Sequence, residues 1–577
     1  MKMTLIKKIL AAVLMAAMVL TLIPFAAFAE GNDAPFEGAG TKESPFLIKT
    51  KTDLETMAEL LNDTAVVNDV YRAAYYQMTA DITLNTVTND DWTSAAVWTP
   101  MASASKSKPF HGEFDGNGYS ISGMYVNAST TVGYAGLFAY VHGGMDGDTN
   151  GAAIRNLTVK NSKIAVTASA QIYVGGIVGY TARGVVVENC HTDIDIDVQL
   201  SASVTLAVGG ILGRGDTATQ IVGCSNSGDV TTTNPNGQAN HWVGGIAGLL
   251  ATLAAGDDIG SIERSFNTGA ISCSTVDKQG RVGGIAGQVG ASVGNTGSVS
   301  YCYNTGDVSG YYVGGLLGYT HATTKANIAN CFSKGNVAWL LSSGTSSYAA
   351  KGVLVGYGNN INSITNCYYS TETALYANGA PTENKGYVGN NNGATALAPA
   401  QFVSENMGNL DRNVWTMNVG QMPMPKNVYA DVYDYGASIL TGSTTFTKNG
   451  ERIAEGQGLK FAFVIDASYI DNGNLKDGYE IGVVISKSGA QEPTVESCEY
   501  KIVMENSLTQ VDGLYIFSGY LIGIPAENLD TLFVAKAYID DGEGVIYSDS
   551  MIKSVRGEAS IRGITLDANG NQTGNSL

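Results

Sequence analysis

The sequence predicts a mainly β protein: a long right-handed parallel β-helix, or solenoid, followed by an antiparallel β-sandwich. Three observations carry this. A Val-Gly-Gly-Ile-x-Gly phrase recurs, its last glycine falling at 179, 213, 248, 287 and 318, with a worn copy ending at 356, a spacing of 31 to 39 residues. The stretches between copies are short, β-branched, alternating and cut by glycine, the mark of strands and turns, with no helical periodicity. Beyond residue 430 the phrase stops and longer alternating strands take over.

In chain order, residues 1–29 read as a secretory signal. Lys2, Lys7 and Lys8 form a positive start, Ile9 to Phe28 is mainly apolar, and Ala27-Phe28-Ala29 is a small-x-small cleavage site. No later segment is long and apolar enough to span a membrane, and the C-terminus carries no Leu-Pro-x-Thr-Gly sorting signal. Thr52-Asp53-Leu54-Glu55 has the form of a capping box, and Leu54, Met57, Leu60 and Leu61 then share one helical face, suited to covering a solenoid end.

The repeats follow. Tyr134 to Ala139 is a worn first copy of the glycine phrase. Each copy is followed by a second phrase ending in Cys190, Cys224, Ser265, Cys302, Cys331 or Cys367, and often by a third such as Asn226-Ser227-Gly228-Asp229-Val230. Three short strands per repeat suit one coil of a β-helix, whereas a propeller blade needs four antiparallel strands. Stacked coils bury one continuous apolar column. A phosphate-binding loop would also use glycine, but needs a helix after it. Pro399 to Met407 reads as a second short helix and Trp415 as a strand. The C-terminal strands are expected at Leu459–Ile465, Tyr479–Ser486, Tyr500–Met504, Leu514–Ile522, Thr531–Ile539 and Gly544–Ser548. The expected division is therefore a signal at 1–29, a solenoid at 30–429 and a β-sandwich at 430–577.

These repeats resemble the GLUG motif of bacterial surface and secreted proteins. The resemblance rests on the Val-Gly-Gly-Ile-x-Gly and Asn-Cys phrases, on Gly40-Thr41-Lys42-Glu43-Ser44-Pro45-Phe46-Leu47-Ile48, and on Phe110-His111-Gly112-Glu113-Phe114-Asp115-Gly116-Asn117-Gly118. It implies the β-helix fold and an extracellular place. GLUG repeats also accompany zinc metalloproteases that cleave immunoglobulin A, which need His-Glu-x-x-His. None of His111, His142, His191, His241 and His321 is followed by Glu, and no two lie four apart, so that activity is not expected here. Gly458-Leu459-Lys460-Phe461 and Ala535-Lys536-Ala537-Tyr538 are similar to a C-terminal module of secreted clostridial proteins.

Composition narrows the partners. The 577 residues hold 52 acidic and 33 basic side chains, a charge of -19. Residues 1–29 contain three lysines and no acid, so their removal leaves -22. This sign argues against nucleic acid and anionic lipid. At 44% hydrophobic and 15% charged the chain is not disordered. Cys190, Cys224, Cys302, Cys331 and Cys367 share one repeat position, where stacked side chains point the same way, and they are expected to be buried free thiols.

Three candidate sites remain. If Cys points inward, the next residue points out. That column reads His191, Ser225, Phe266, Tyr303, Phe332 and Tyr368, and the four rings Phe266, Tyr303, Phe332 and Tyr368 would offer flat apolar surface to sugars, unless a loop covers them or they stack on one another. A neighbouring column holds Asp195, Asp229, Ala270, Asp307 and Asn336, where paired carboxylates suit solvated surface, calcium, or acid-base work on a glycan. Asp146-Gly147-Asp148-Thr149-Asn150 opens like a calcium loop, but Leu157 stands where a bidentate Glu would close it. Asp146, Asp148, Asn150, Asp195 and Asp229 are thus the metal candidates; no cofactor other than calcium is expected. The expected function is that of an exported, non-catalytic, adhesin-like binding protein, secreted or loosely wall-associated, engaging glycans or surface proteins. The alternatives are a β-helix lyase or glycosidase and a structural spacer of the envelope.

Overall fold

The computed structural model describes residues 35–575 apart from 66–68, 104, 130–132, 145–150, 235–238, 253–255, 276–279, 291–295, 322–325, 340–350, 359–360, 372–374, 378–379, 382–393, 441–444, 449–450, 456, 490, 505–507 and 512. The expected signal segment 1–29 and the residues Asp146, Asp148 and Asn150 lie outside the described residues.

Residues 46–397 wind into a parallel β-solenoid whose coils have three sides. Two sides are narrow sheets of seven strands each. One begins at Tyr134–Ala135 and runs through Ile172–Gly175, Leu206–Gly209, His241–Gly244, Gly280–Gly283 and Tyr312–Gly314 to Lys351–Gly352. The other runs from Phe138–His142 through Val178–Ala182, Leu212–Asp216, Ala247–Ala251, Ala286–Val289 and Leu317–Thr320 to Val355–Gly358. The third side is a 25-stranded face. There a coil is either one long strand, as in Val186–Leu200, or a succession of short ones, as in Thr219–Val222, Ser225–Asn226 and Val230–Asn234. Every pairing of glycine-phrase strands is parallel and in register, Val174 lying opposite Val208 and Val208 opposite Val243. The expected period of one glycine phrase per coil is therefore met.

The glycine pairs mark a corner where coils touch through backbone. A Cβ on Gly245 would sit 2.2 Å from the Gly284 carbonyl oxygen and 2.3 Å from Asn267 Cγ. That asparagine belongs to a column the sequence presents only as a turn phrase. Asn226 Nδ2 donates to Asn267 Oδ1 at 2.8 Å, and Asn267 Nδ2 donates to Asn304 Oδ1 at 2.8 Å. Each also donates to the carbonyl two residues on, at Gly228, Gly269 and Gly306. Burying amides is costly unless they are paired; in the stack each coil satisfies the next. A second asparagine column explains the Asn-Cys phrase: Asn156, Asn189, Asn330 and Asn366 have φ of 49 to 54°, a left-handed turn that asparagine tolerates.

Next to it, Cys190, Cys224, Cys302, Cys331 and Cys367 are buried free thiols. The Cys190 amide donates to Cys224 Sγ at 3.4 Å, and Ser265 fills its own place by accepting from the Cys224 amide at 3.1 Å. Burial, reinforced by the neighbouring thiols, pushes Cys190 and Cys331 well above the ordinary thiol range, so they stay protonated.

The N-terminal end is covered as expected by a helix, Lys51–Asn62, with Leu54, Met57 and Leu61 inward. Its cap differs from the sequence reading. Thr50, not Thr52, is the N-cap, accepting from the Asp53 amide at 3.2 Å, while Asp53 accepts from the Thr50 amide at 2.8 Å. Aspartate thus serves where glutamate at position 55 was expected, because the helix begins two residues earlier. The expected helix at Pro399–Met407 is instead two 3-10 turns, Pro399–Gln401 and Ser404–Asn406. The strand at Trp415 is present as Trp415–Thr416.

Beyond it stand two antiparallel sheets. One orders Val432–Leu440, Gly458–Ile465, Leu514–Ile522 and Thr509–Val511; the other orders Tyr500–Val503, Glu480–Lys487, Phe533–Asp540 and Val545–Tyr547, with Met551–Lys553 also pairing Phe533–Asp540. Phe461, Phe463, Val483, Ile485, Phe517 and Ala537 join them in one apolar cluster. A short helix, Val555–Ile561, follows.

One buried titratable group gives a direct test of the coil interior. His241 is buried on a strand where its neighbours in register are Leu206 and Gly280. Its Nδ1 is buried without a hydrogen bond. Burial holds its pKa below the ordinary imidazole value, so it folds neutral. The unfolded chain takes up its proton near pH 6.5, so this contribution is complete above that pH and is lost as the pH falls through the lower folded value. Thermal unfolding at pH 7.5 and pH 5 is expected to show a smaller acid loss for His241→Leu than for the native chain. Equal losses would mean that His241 stays solvated in the fold.

Candidate functional site

The aromatic column expected to face solvent is present but covered. Phe266, Tyr303, Phe332 and Tyr368 lie in register on successive coils. Their rings stack: Phe266 to Tyr303 at 4.7 Å and 4°, Tyr303 to Phe332 at 5.0 Å and 8°. Phe332 is fully buried and Tyr303 and Tyr368 are each 2% exposed; only Phe266 is half-exposed. The cover is the chain between the solenoid and the C-terminal sheets. Phe402, Met407, Leu410, Trp415 and Met417, with Ile561, form one apolar cluster with the column. The four rings are therefore a docking face for the protein's own chain rather than an open strip.

The acidic column is exposed, as expected, but each described carboxylate has a structural bond. Asp195 Oδ1 accepts from the Asp229 amide at 3.3 Å, Asp229 Oδ1 from the Ala270 amide at 2.8 Å, and Asp307 Oδ1 from the Asn336 amide at 2.9 Å. Each side chain thus caps the turn of the following coil. Lys163 stands opposite Asp195 in register, a basic neighbour that sequence proximity does not show. Among the described residues no group of three or more His, Cys, Asp or Glu side chains is arranged to hold a metal.

A different surface gathers the recognition chemistry. At the glycine corner the two narrow sheets turn toward each other, so that side chains pointing away from the core of one sheet meet those of the other. On the first sheet the outward column reads Tyr134, Tyr173, Ala207, Trp242, Arg281 and Tyr312. On the second it reads Tyr140, Tyr180, Arg214, Leu249, Gln288, Tyr319 and Tyr357. The two columns touch across the corner. Tyr134 stacks on Tyr180 across it at 5.1 Å and 15°, and within the second column Tyr140 stacks on Tyr180 at 5.0 Å. Farther along, Tyr319 stacks on Tyr357 at 5.5 Å and 10°.

Two arginines lie among these rings. Arg214 stands 5.2 Å from the Tyr173 ring centre and pairs with Asp216 at 3.0 Å. Tyr180 donates to that same Asp216 at 2.7 Å. Burial opposes the charge on Arg214, but Asp216 and Tyr173 outweigh it and raise its pKa. Arg281 lies 4.7 Å from the Tyr319 ring centre and 5.5 Å from that of Trp242. It donates to Asn240 Oδ1 at 2.7 Å, and among the described residues no carboxylate lies within salt-bridge distance. Burial lowers its pKa. Trp242 Nε1 donates to Gln288 at 2.6 Å, which fixes the indole. Burial and the neighbouring Tyr134 and Asp216 push Tyr140 up to about 12, so it remains a neutral phenol. The result is a stripe of aromatic rings, half-buried except for the buried Tyr173, with phenol hydroxyls and guanidinium groups along the solenoid axis. Chemically it offers flat apolar surface edged by hydrogen-bond donors.

Sequence reasoning missed this stripe. Its signal was present: Tyr173 and Tyr180 flank the glycine phrase on either side, as do Tyr312 and Tyr319.

Residues 309–338 match the GLUG motif, so the expected resemblance holds on the coil that carries Val313-Gly314-Gly315 and Asn330-Cys331. The chain is 25% identical over 356 residues to "Halomucin" of Haloquadratum walsbyi, covering 49% of this chain and 4% of that protein. It is 29% identical over 142 residues to a "Putative Gly-rich membrane protein" of Evansella cellulosilytica, covering 25% of this chain and 14% of that protein. The chain thus spans a small fraction of the length of either curated relative. Among solved structures it is similar to a "putative immunoglobulin A1 protease" from Bacteroides ovatus at 20% identity and a TM-score of 0.41, covering 68% of this chain and 95% of that one. It is also similar to an "IgA1 Protease" at 18% identity and a TM-score of 0.35, covering 56% of this chain and 21% of that one.

Proposed function

We propose that this GLUG-motif solenoid is an exported, non-catalytic binding protein that engages glycan chains along its aromatic and arginine stripe. The observation that carries this is the alignment of Tyr134, Tyr173, Tyr180, Trp242, Tyr319 and Tyr357 along one corner of successive coils. Sugar rings present flat C–H faces to aromatic rings and hydroxyls to phenols and guanidinium groups, and amphipathic rings suit a site that is half wet. Coils repeat at ~4.8 Å, a step that suits an extended polymer running parallel to the axis. The non-catalytic reading is supported by Asp216, whose carboxylate is already held by Arg214 and Tyr180. Placement at the cell surface or outside it is supported by the signal-like residues 1–29 and by the printed name of the Evansella relative. The C-terminal sheets, which we read as a sandwich, would then act as a spacer or second binding module.

A glycan-array screen of the full chain, followed by titration of the strongest hit, tests this. Trp242→Ala is expected to weaken that hit by about tenfold or more, the effect of removing a central aromatic anchor. No glycan hit, or a hit indifferent to Trp242→Ala, overturns the assignment. A protein ligand captured through the same tryptophan would replace the glycan as the partner.

A further inference from the structure

The outer face of the sheet that orders Val432–Leu440, Gly458–Ile465, Leu514–Ile522 and Thr509–Val511 differs from the rest of the surface. Phe461, Phe463 and Phe517 point into the apolar cluster between the sheets, so Lys460, Ala462, Ser518 and Tyr520 point out. Four of the nine large hydrophobic side chains exposed among the described residues lie on this face: Tyr435, Val511, Leu514 and Tyr520. None of the nine lies on the coils from Tyr134 to Gly358. Tyr435 is turned out by an irregularity in its strand. The ladder passes from Asp434 opposite Phe463 to Gly436 opposite Ala462, and Gly436 has a φ of 148°. Tyr435 is thus the extra residue of a bulge, a device that re-aims a side chain. Tyr520 lies opposite Lys460, and Ser518 opposite Ala462. Tyr435 and Tyr520 are therefore two strands apart, about 10 Å across the sheet, with the small, buried Ala462 and Ser518 between them.

The result is a trough of about 380 Å³, seven of whose ten lining residues are apolar or aromatic. Its three polar residues are Lys460, Thr509 and Ser518, and among the described residues none of their side chains makes a hydrogen bond or ion pair. Lys460 Nζ lies 5.8 Å from the Tyr520 ring centre, and Lys426 Nζ 5.9 Å from that of Tyr435, contacts that orient the two rings. Tyr435, Lys460 and Ala462 also line a neighbouring hollow of about 520 Å³, so the two spaces are continuous. The floor excludes a peptide added as a strand, because Gly458–Ile465 and Leu514–Ile522 are each paired on both sides. A ligand here lies across the strands and is held by side chains alone. It must offer flat apolar faces to two tyrosines and oxygens to an ammonium and two hydroxyls, and be long enough to run from one hollow into the next. Sugar rings in a chain have that chemistry.

We infer that this trough is a second glycan-binding site, carried by the C-terminal sheets, with sugar rings laid on Tyr435 and Tyr520 and their oxygens accepting from Lys460, Thr509 and Ser518. It extends the glycan-binding reading of the chain but does not depend on the stripe. Calorimetric titration of the full chain carrying Trp242→Ala, which removes the central ring of the stripe, isolates the trough. The probes are hexasaccharides of β-1,4-linked glucose, mannose and xylose and of α-1,4-linked galacturonic acid. At least one is expected to bind saturably. Adding Tyr520→Ala is expected to weaken it about tenfold or more with the melting temperature unchanged, since that ring is exposed. Tyr435→Ala, on the opposite wall, is expected to act in the same direction. Should Trp242→Ala not fold, the two tyrosine variants are compared in the native chain. Sugar binding by the native chain that is lost in Trp242→Ala upholds the stripe and overturns the trough. Absence of saturable binding by any of the four probes, or binding unchanged in both tyrosine variants, also overturns it.

Discussion

Tyr303→Ala is expected to lower folding stability by about 3 to 5 kcal/mol, the cost of truncating a large buried ring. Tyr303 is 2% exposed, stacked between Phe266 and Phe332 and 6.3 Å from the ring of Trp415. Its hydroxyl meets the thioether of Met424 at 3.3 Å, and burial raises its pKa. Truncation leaves a cavity that neither side can close: one wall is the hydrogen-bonded coil, and the other is a chain segment held by its own apolar contacts. Chemical unfolding of the variant measures the loss. Had this ring been part of an open ligand strip, its removal would cost binding and leave stability within about 0.5 kcal/mol; that outcome would sink the covered arrangement.

Gly245→Ala is expected to cost at least the upper end of the ~1 to 3 kcal/mol typical of overpacking. The added methyl would meet the Gly284 carbonyl oxygen at 2.2 Å and Asn267 Cγ at 2.3 Å. Neither neighbour can yield cheaply. The carbonyl belongs to the next coil, and Asn267 is fixed by its bonds to Gly269 and Asn304. Gly544→Ala is the control, because nothing lies within 4 Å of its Cβ position. Thermal unfolding should separate the two variants clearly. Similar melting temperatures would show that glycine at 245 is not required by close approach.

The coils were legible because each repeats the same physical demand. The glycine phrase reports contact between coils, and the position of Cys190, Cys224 and Cys331 reports the interior. The strands of the C-terminal sheets were legible from their apolar, aromatic-rich runs, such as Leu514–Ile522, whose residues 516–519 are all buried. What the sequence concealed depended on chain far away along it. Tyr303 and Phe332 are covered by Phe402 and Trp415, which belong to no repeat and therefore leave no period to read. The acidic column looked like an ion site because its charges are visible in sequence, whereas the amide of Ala270 that occupies Asp229 is not. The stripe at Tyr173 and Tyr180 was overlooked because outward residues on two sheets normally diverge; here the glycine corner brings them together at 5.7 Å.

The asparagine column gives the solenoid a property of lineage rather than of energy. Because Asn226, Asn267 and Asn304 bond within their own coil and otherwise to the adjacent coils of the column, a coil copied in tandem finds the same partners its template had. Only one junction is opened and an equivalent one closed. Each such duplication would add ~4.8 Å to the aromatic corner without disturbing the fit of any other coil. Gene-level repeat expansion is thereby converted directly into length, and chains with different numbers of coils can differ in the extent of this corner while keeping one interior unchanged.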